Sequence, residues 1–459
     1  MDAFVDERSA GDARAAESLS GRTGEEIPFQ DERGASPVAE ESVEARPRVR
    51  DREVVVGVAE SGFGPLAPEE VERRIGDRPV SPPQLHPLGE CVPRQPGRVR
   101  EDYVDPLARQ GRVVDRRFDH VAEHDWPVPV ELTQQQRQRG TADAVRAASS
   151  ALTDDPFVVL NGDALYDAPS LERLYSNGPA VGSYRVDDPT QYGVLDVAGD
   201  PDADSGARRV TGVIEKPPNP PSDLINTGAY VFPPAARSWL DVGESERGEL
   251  ELTDVLQRTC AEFEVTTVPF ERWLDVGRPW ELLEANEWKL AELSRDLAGE
   301  VHPDADLRGD VVVEAGATVD AGVVVEGSAL VRSGAELGPN AYVRGATLLA
   351  EDVHVGNGVE VKNSVVMAGT NVPHLSYVGD SVLGREVNVG AGTQVANLRH
   401  DGEAVRFTVK GERVSTGRRK FGVVAGDGVR TGVNTSLNPG VRLSAGATTA
   451  PGESVTRDR

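Results

Sequence analysis

The C-terminal part of the sequence repeats an aliphatic residue every six positions, and this period constrains the fold more than any other feature. From residue 301 the series runs through twelve positions without a break: Val301, Leu307, Val313, Val319, Val325, Val331, Leu337, Val343, Leu349, Val355, Val361 and Met367. A six-residue period matches neither an α-helix nor an ordinary two-sided strand. It predicts a triangular β-solenoid whose flat faces are one hexad long, with each aliphatic residue pointing into the core. Because a solenoid can be a plain scaffold, the repeat alone does not give a function.

The repeat continues beyond Met367 with one large interruption. Hexads recur at Val389 and Val429, and the segment 401–420 lies between them. This segment carries Arg406, Lys410, Arg413, Arg418, Arg419 and Lys420 against Asp401, Glu403 and Glu412. Two interpretations stay open: a solvated loop, or a site for phosphate groups, which Arg and Lys bind well.

The overall charge excludes several classes of protein. The chain of 459 residues has 49 Lys and Arg against 76 Asp and Glu, a formal charge of −27, which argues against nucleic-acid or anionic-membrane partners. It has no apolar run long enough for a membrane span and no signal-peptide pattern at its start. Two cysteines cannot build a disulfide scaffold. We therefore expect a cytoplasmic protein.

Residues 129–300 alternate predicted strands and helices, which indicates an α/β domain. The predicted strands are 157–160, 193–197, 210–214 and 228–232, and the predicted helices are 141–151, 171–175 and 280–297. The last helix is expected to lead into the solenoid at 301–459. Residues 1–128 show little periodicity and one strand-like run at 53–58, so they form an aberrant N-terminal stretch.

The segment HLSYVGDSVLGREVNVGAGTQVANLRHDG, residues 374–402, resembles the acetyltransferase site of a bifunctional family. This is the N-acetylglucosamine-1-phosphate uridyltransferase / glucosamine-1-phosphate N-acetyltransferase family, and the ending at 417–434 is similar to its archaeal two-domain members. The resemblance implies a Rossmann-like nucleotidyltransferase domain followed by a left-handed parallel β-helix. It also implies Mg²⁺, acetyl-CoA as co-substrate, a sugar 1-phosphate, a nucleoside triphosphate and a homotrimer.

The resemblance implies a role for each matching residue of the solenoid. His374 would be the general base, since the incoming amine must lose a proton before it attacks a thioester. Lys362, Tyr377, Asn388 and Asn397 would contact the amino-sugar phosphate. The backbone of Ala391 would lie beside acetyl-CoA, where its amide N–H could stabilise an oxyanion.

The middle of the chain resembles the nucleotidyltransferase half of the same family. Positions matching its nucleotide and sugar contacts are Gly140, Thr141, Gly193, Glu215, Lys216, Asn226 and Gly228. Asp163 and Asp275 match its metal-binding carboxylates, and two carboxylates that hold Mg²⁺ over a triphosphate suit phosphoryl-group transfer. Any one of these motifs is also typical of a plain turn or helix cap.

The sequence departs from the family before residue 128. The family opens with a Gly-rich loop that carries Arg, followed by a Pro-Lys pair, whereas this chain has no lysine before Lys216. The stretch is either a diverged half-domain or non-homologous sequence. Three functions follow: a bifunctional enzyme that acetylates an amino-sugar 1-phosphate and couples it to a nucleotide, an acetyltransferase with an inactive nucleotidyltransferase domain, or a non-catalytic scaffold.

Overall fold

The computed structural model describes residues 133, 135–199, 206–245 and 247–459, together with the backbone of residues 54–57. Most of the aberrant N-terminal stretch therefore lies outside the described residues. The strand expected at 53–58 is present as β1, Val54–Gly57. None of the described helices has the length and hydrophobicity that a membrane crossing requires.

The first body of the described chain is a mixed α/β domain. Its elements are β1 Val54–Gly57, α1 Thr141–Ala147, β2 Phe157–Asn161, β3 Ala164–Tyr166, α2 Ala168–Ser176, β4 Ala180–Arg185, β5 Gly193–Val197, β6 Arg209–Glu215, β7 Leu224–Phe232, α3 Leu252–Glu262, β8 Val265–Pro269, β9 Trp273–Asp275 and α4 Pro279–Leu290. Short 3₁₀ turns occur at Pro189–Gln191 and Pro234–Trp239. The described strands form one sheet in the order β1-β2-β7-β4-β8-β6-β5 and a small β3–β9 ladder.

Helices pack on both faces of this sheet. Phe157 and Val159 of β2 face a core that includes residues of α1 and α3, whereas Val158 faces a second core that includes Leu174 of α2. Successive side chains of a strand point to opposite faces, so a strand buried on both sides reads as a continuous apolar run. This explains the sequence FVVL and confirms the predicted α/β domain, whose sheet has a core on each face.

Two predicted helices end earlier than expected. The helix predicted over 141–151 ends at Ala147. The residues that follow form hydrogen bonds to the carbonyl three positions earlier, as in a 3₁₀ turn; the amide of Ala148, for example, donates to the carbonyl of Val145. The helix predicted over 280–297 ends at Leu290. Its last residues, Asp296 and Leu297, instead pair with Val312 and Val313 as the first solenoid strand. Strand pairing with the next coil outweighs the helical spacing of the leucines.

Residues 296–455 form the predicted solenoid of parallel strands, apart from two antiparallel strands in the insertion at 401–420. In chain order the strands are β10 Asp296–Leu297, β11 Glu300–Val301, β12 Asp306–Arg308, β13 Val311–Val313, β14 Thr318–Val319, β15 Val324–Glu326, β16 Ala329–Val331, β17 Glu336–Leu337, β18 Tyr342–Arg344, β19 Thr347–Leu349, β20 His354–Asn357, β21 Glu360–Lys362, β22 Val365–Val366, β23 Asn371–His374, β24 Tyr377–Gly379, β25 Val382–Leu383, β26 Gln394–Val395, β27 Arg406–Val409, β28 Glu412–Ser415, β29 Val424–Ala425, β30 Ser436–Leu437, β31 Arg442–Leu443 and β32 Ser454–Val455.

The solenoid has three parallel faces. Face one is β10-β13-β16-β19-β22-β25-β29-β31, face two is β11-β14-β17-β20-β23, and face three is β12-β15-β18-β21-β24-β26-β30-β32. The hexad positions from Val313 to Val361 are buried in one continuous core, as the period predicts, and Val301 and Leu307 pack against its end. The fold class is confirmed: an α/β domain followed by a parallel β-helix.

The prediction that Met367 points into the core is wrong. Leu349 pairs with Val366, which is fully buried, and Met367 is only partly buried against a different cluster. The cause is a shorter corner at Asn363, where the backbone adopts φ +46° and the next strand begins one residue sooner. The following coil repeats this short corner at Asp380, where φ is +50°.

The insertion that interrupts the repeat joins the solenoid to α4. Its strands β27 and β28 form an antiparallel hairpin. Phe407 and Phe421 are buried and lie edge-on to Trp280 of α4, with ring centroids 5.9 and 6.2 Å from the indole ring. Such edge-to-face contacts stabilise a core beyond the area that they bury. The insertion therefore packs against the last helix of the α/β domain.

Candidate active sites

The two predicted metal ligands of the α/β domain lie side by side. Asp163 follows β2, and Asp275 ends β9, where it pairs with Ala164; the amide of Val276 donates to the carbonyl of Asp163 at 2.8 Å. Burial raises the pKa of both carboxyl groups, and the nearby charge of Asp163 contributes to the rise of the pKa of Asp275 to about 6. A cation would stabilise two neighbouring, partly buried carboxylates whose surroundings disfavour their charge.

Further charged residues surround this pair. The charges of Arg278 and Lys216 lower the pKa of Asp275, so both cations lie near the carboxylates. Burial raises the pKa of Glu281 on α4 to about 7, and Asp275 adds to the rise. The positions that match the family did not include Glu281 or Arg278, although both lie within six residues of Asp275 in the sequence. The site is therefore larger than the two predicted acids.

Gly193 and Glu215 oppose each other in the β5–β6 ladder. A Cβ atom on Gly193 would lie 2.9 Å from the Glu215 carboxylate, so the glycine leaves room for it. Burial raises the pKa of Glu215, the neighbouring charge of Glu251 raises it further, and Arg247 opposes the rise. The structure brings this predicted sugar-contacting pair together.

The Asn226-Thr-Gly228 element is tied into the chain by its own side chain. The Asn226 amide donates to the hydroxyl of Tyr230 at 2.6 Å, and its carbonyl oxygen accepts from the amide of Gly228 at 2.9 Å. A Cβ atom on Gly228 would lie 2.4 Å from the side chain of Asn161, and φ there is +76°. Glycine suits this position because both the space and the backbone angle disfavour a side chain.

Gly140 and Thr141 start α1 against the start of α3. The Thr141 hydroxyl accepts a hydrogen bond from the amide of Leu252 at 2.9 Å, and a Cβ atom on Gly140 would lie 2.4 Å from the carbonyl of Leu250. The Thr141 hydroxyl, at a position predicted to contact the nucleotide, thus also stabilises the start of α3.

Three of the predicted substrate contacts of the solenoid, Lys362, Tyr377 and Asn397, meet on face three. They surround Asp380, which the family motifs did not include. Lys362 and Asn397 donate to the same carboxylate oxygen of Asp380, at 2.7 and 2.5 Å. The Asn397 amide also lies 3.0 Å from the hydroxyl of Tyr377. Burial raises the pKa of Tyr377, and the Asp380 carboxylate adds to it, so the phenol stays protonated at neutral pH.

His374 and Ala391 share the corner between faces two and three. His374 ends β23 and is exposed, and Ala391 lies one coil on, where the amide of Gly392 donates to the carbonyl of His374 at 3.1 Å. Asn388 does not join the face-three group. It pairs with Asn371 on face two, around the corner from Tyr377.

Arg344 is a further cation that the motif comparison missed. It lies directly beside Lys362 in the face-three ladder, three hexads earlier in the sequence. Its guanidinium donates to Glu360 at 2.7 Å. The six-residue period could have predicted that Arg344 lies beside Lys362, because residues three hexads apart occupy the same place in successive coils.

Two arginines of the basic insertion contact other parts of the chain. Arg418 binds Glu287 on α4, with one pair of atoms at 3.2 Å, and Arg413 donates to Thr408 and to the carbonyl of Gly440. These two of the six cations are occupied by contacts within the chain. For the insertion as a whole, the phosphate interpretation stays a prediction.

Comparisons with known proteins agree with this arrangement. The family model described as "Nucleotidyl transferase" matches residues 111–292, and that described as "GMPPB C-terminal domain" matches residues 325–438. The first match begins before the boundary predicted at 128 and includes both candidate metal ligands.

Similar proteins match the chain over both the α/β domain and the solenoid. The "Bifunctional sugar-1-phosphate nucleotidylyltransferase/acetyltransferase" of Sulfurisphaera tokodaii is 39% identical over 335 residues, which cover 71% of this chain and 80% of the relative. The "Bifunctional protein GlmU" of Methanocaldococcus jannaschii is 38% identical over 318 residues, covering 69% and 76%. That of Ralstonia pickettii is 31% identical over 409 residues, covering 75% and 83%. The chain is thus a transferase and belongs to the family of bifunctional sugar-1-phosphate nucleotidylyltransferase/acetyltransferases.

Proposed function

We propose that the solenoid transfers an acetyl group from acetyl-CoA to the amine of an amino-sugar 1-phosphate. The observation that carries this proposal is the group of Lys362, Tyr377 and Asn397 on face three, one corner from the exposed His374. A lysine ammonium suits a phosphate, and hydroxyl and amide groups suit a sugar. The group therefore has the chemistry to hold a sugar phosphate beside a base.

His374 takes a proton from the amine, whose nitrogen then attacks the thioester carbonyl. A C–N bond forms, the C–S bond breaks, and the thiolate leaves and is protonated. The backbone N–H of Ala391, one coil from His374, stabilises the oxyanion. The base and the oxyanion donor would thus both come from this corner of the solenoid.

We propose that the α/β domain couples the acetylated sugar 1-phosphate to a nucleoside triphosphate, which gives UDP-N-acetylglucosamine or a related nucleotide sugar. Asp163 and Asp275 would hold Mg²⁺, because the two residues adjoin at the β3–β9 ladder and burial raises the pKa of both carboxyl groups, which a bound cation would offset. Magnesium commonly uses one or two carboxylates and completes its shell with water and substrate phosphates. When bound, it neutralises charge on the phosphates. Lys216, whose charge acts on Asp275, would contact the sugar phosphate, and Glu215, its neighbour in the sequence, would contact the sugar.

We propose a homotrimer as the working state. Asn388 lies on face two, around the corner from Tyr377, and a neighbouring solenoid packed at this corner would complete the site. Leu375 and Val433, near the same corner, are 63% and 48% exposed, which favours coverage by another copy. Acetyl-CoA and nucleoside triphosphates are cytoplasmic metabolites, so we place the protein in the cytoplasm.

Purified protein tests both activities separately. Thiol release from acetyl-CoA with glucosamine-1-phosphate measures acetyl transfer, and pyrophosphate release from UTP with N-acetylglucosamine-1-phosphate and Mg²⁺ measures nucleotidyl transfer. His374→Ala should lower acetyl transfer by about 10²–10⁴, the range typical of a general base. His354→Ala is the matched control, because His354 lies on the same face beside Glu336. Full acetyl transfer by His374→Ala would contradict the assignment.

A further inference from the structure

Asp380 is the buried centre of the face-three group. One carboxylate oxygen accepts from Lys362 at 2.7 Å and from the side chain of Asn397 at 2.5 Å, and the other accepts from the side-chain amide of Asn363 at 3.1 Å. Asp380 is only 3% exposed. A carboxylate out of water is tolerated only when it is paired and hydrogen-bonded, and here three donors satisfy it.

The short corner of the solenoid fixes the backbone of Asp380. With φ at +50°, Asp380 adopts a left-handed conformation that Asp tolerates better than most residues. Its amide donates to the carbonyl of Lys362 at 2.8 Å, and its carbonyl accepts from the amide of Gly422 at 2.7 Å. Both neighbouring coils therefore hold the residue, and its carboxylate has a defined position.

This carboxylate sets the direction of the groups that bind it. An ionised carboxylate only accepts hydrogen bonds, so the Asn397 side chain must present its NH₂ group to Asp380 and its oxygen elsewhere. Lys362 uses one of its three N–H donors on Asp380 and keeps two. Asn397 thus offers an acceptor, and Lys362 offers donors, to a ligand on face three.

We propose that Asp380 is a positioning residue of the acetyltransferase site: it aims the Lys362 ammonium at the phosphate of the sugar and the Asn397 oxygen at a hydroxyl or amine. The proposal rests on the proposed function of the solenoid. Asp380 itself touches no reacting atom, and it acts through the two side chains that it holds. Without its charge, Lys362 loses its partner and the Asn397 amide is free to turn.

The test compares the kinetics of Asp380→Asn with those of two other variants. Asp380→Asn should raise the KM for glucosamine-1-phosphate about 10- to 100-fold, the loss typical of a charged hydrogen bond, and leave the KM for acetyl-CoA within about two-fold. Asp352→Asn is the matched control, since Asp352 also has a left-handed backbone, at φ +56°, but is exposed. In a Lys362→Met background, Asp380→Asn should cost less than in the wild type, because part of its effect passes through Lys362.

Three results would overturn the inference: an unchanged KM for the sugar phosphate, equal losses toward both substrates together with a lower melting temperature, or full additivity with Lys362→Met. A wild-type protein that does not acetylate would instead contradict the proposed function. Calorimetric binding of glucosamine-1-phosphate then decides the role of Asp380. Weaker binding by Asp380→Asn supports the inference, and equal binding, or none by the wild type, overturns it.

Discussion

Arg418, on the insertion that interrupts the solenoid, forms an ion pair with Glu287 on α4, the last helix of the α/β domain. Glu287 also accepts from the side-chain amide of Asn363 at 2.8 Å, and the same NH₂ group donates to Asp380. A continuous set of hydrogen bonds therefore runs from α4 to the side chains that surround the candidate sugar site. The insertion and the linking helix are parts of one structural unit.

We expect the Arg418–Glu287 pair to stabilise the docking of α4 on the solenoid. Arg418→Met removes one partner of a pair whose side chains are 22% and 34% exposed, and it should destabilise the junction by about 1–3 kcal/mol. Scanning calorimetry should show the transition about 2–8 °C lower. Arg419→Met, at the neighbouring exposed position, is the control and should change little. An unchanged transition in Arg418→Met would show that the aromatic contacts of Trp280 hold the junction alone.

Gly379→Ala should impair acetyl transfer without unfolding the solenoid. A Cβ atom there would lie 2.3 Å from the Tyr377 hydroxyl and 2.8 Å from the Asn397 amide, so both side chains must move. A displaced contact of this kind costs about ten-fold or more in activity. Steady-state kinetics and the melting temperature separate the two effects. Gly243→Ala adds a methyl group in open space and serves as the control; equal activity of the two variants would contradict the prediction.

Asp275 should destabilise the metal-free protein at neutral pH. Its folded pKa of about 6 lies above the ordinary value of 3.8, so between these values the folded state binds more protons than the unfolded state. The free energy of unfolding therefore falls as pH rises from about 4 to 6, by about 2–3 kcal/mol, and stays lower above that window. In EDTA, Asp275→Asn should melt higher than the wild type at pH 7 and equally near pH 4.

Adding Mg²⁺ should reverse that order. The cation stabilises the wild type by binding the folded state, and Asp275→Asn should show a much smaller shift. Asp196→Asn, at an exposed position of β5, is the control for loss of a negative charge. A wild-type melting temperature that does not respond to pH between 4 and 7 in EDTA would contradict the environment assigned to Asp275.

The short corner at Asn363 makes Val366 and Met367 a test of register. Val366→Thr places a hydroxyl in the solenoid core, where Val366 is fully buried, and should cost about 1–3 kcal/mol. Met367→Gln replaces a partly buried side chain of similar length and should cost less. Chemical denaturation monitored by circular dichroism ranks the two variants. A larger loss of stability in Met367→Gln than in Val366→Thr would support the register that the six-residue period predicts.

Much of the candidate acetyltransferase site was predictable because its residues lie close together in the sequence. His374 and Tyr377 flank one corner, and Ala391 and Asn397 follow one coil later, so the repeat places them near one another. Asp380 was missed because a Gly-Asp pair after a strand is also typical of a turn. Only the packing of adjacent coils shows that Lys362 and Asn397 converge on it.

The hydrophobic period and the ordered motifs were enough to predict the solenoid, the α/β domain and the family, because both are local properties of a chain. The register at Val366, the end of α4 and the ion pair of Arg418 were not predictable in this way. Each of these depends on contacts between residues far apart in sequence: a left-handed corner shortened by one residue, a strand pair formed with the next coil, and an ion pair between an insertion and a helix. Local patterns carry no information on such contacts, since the competing energies arise only when the elements pack.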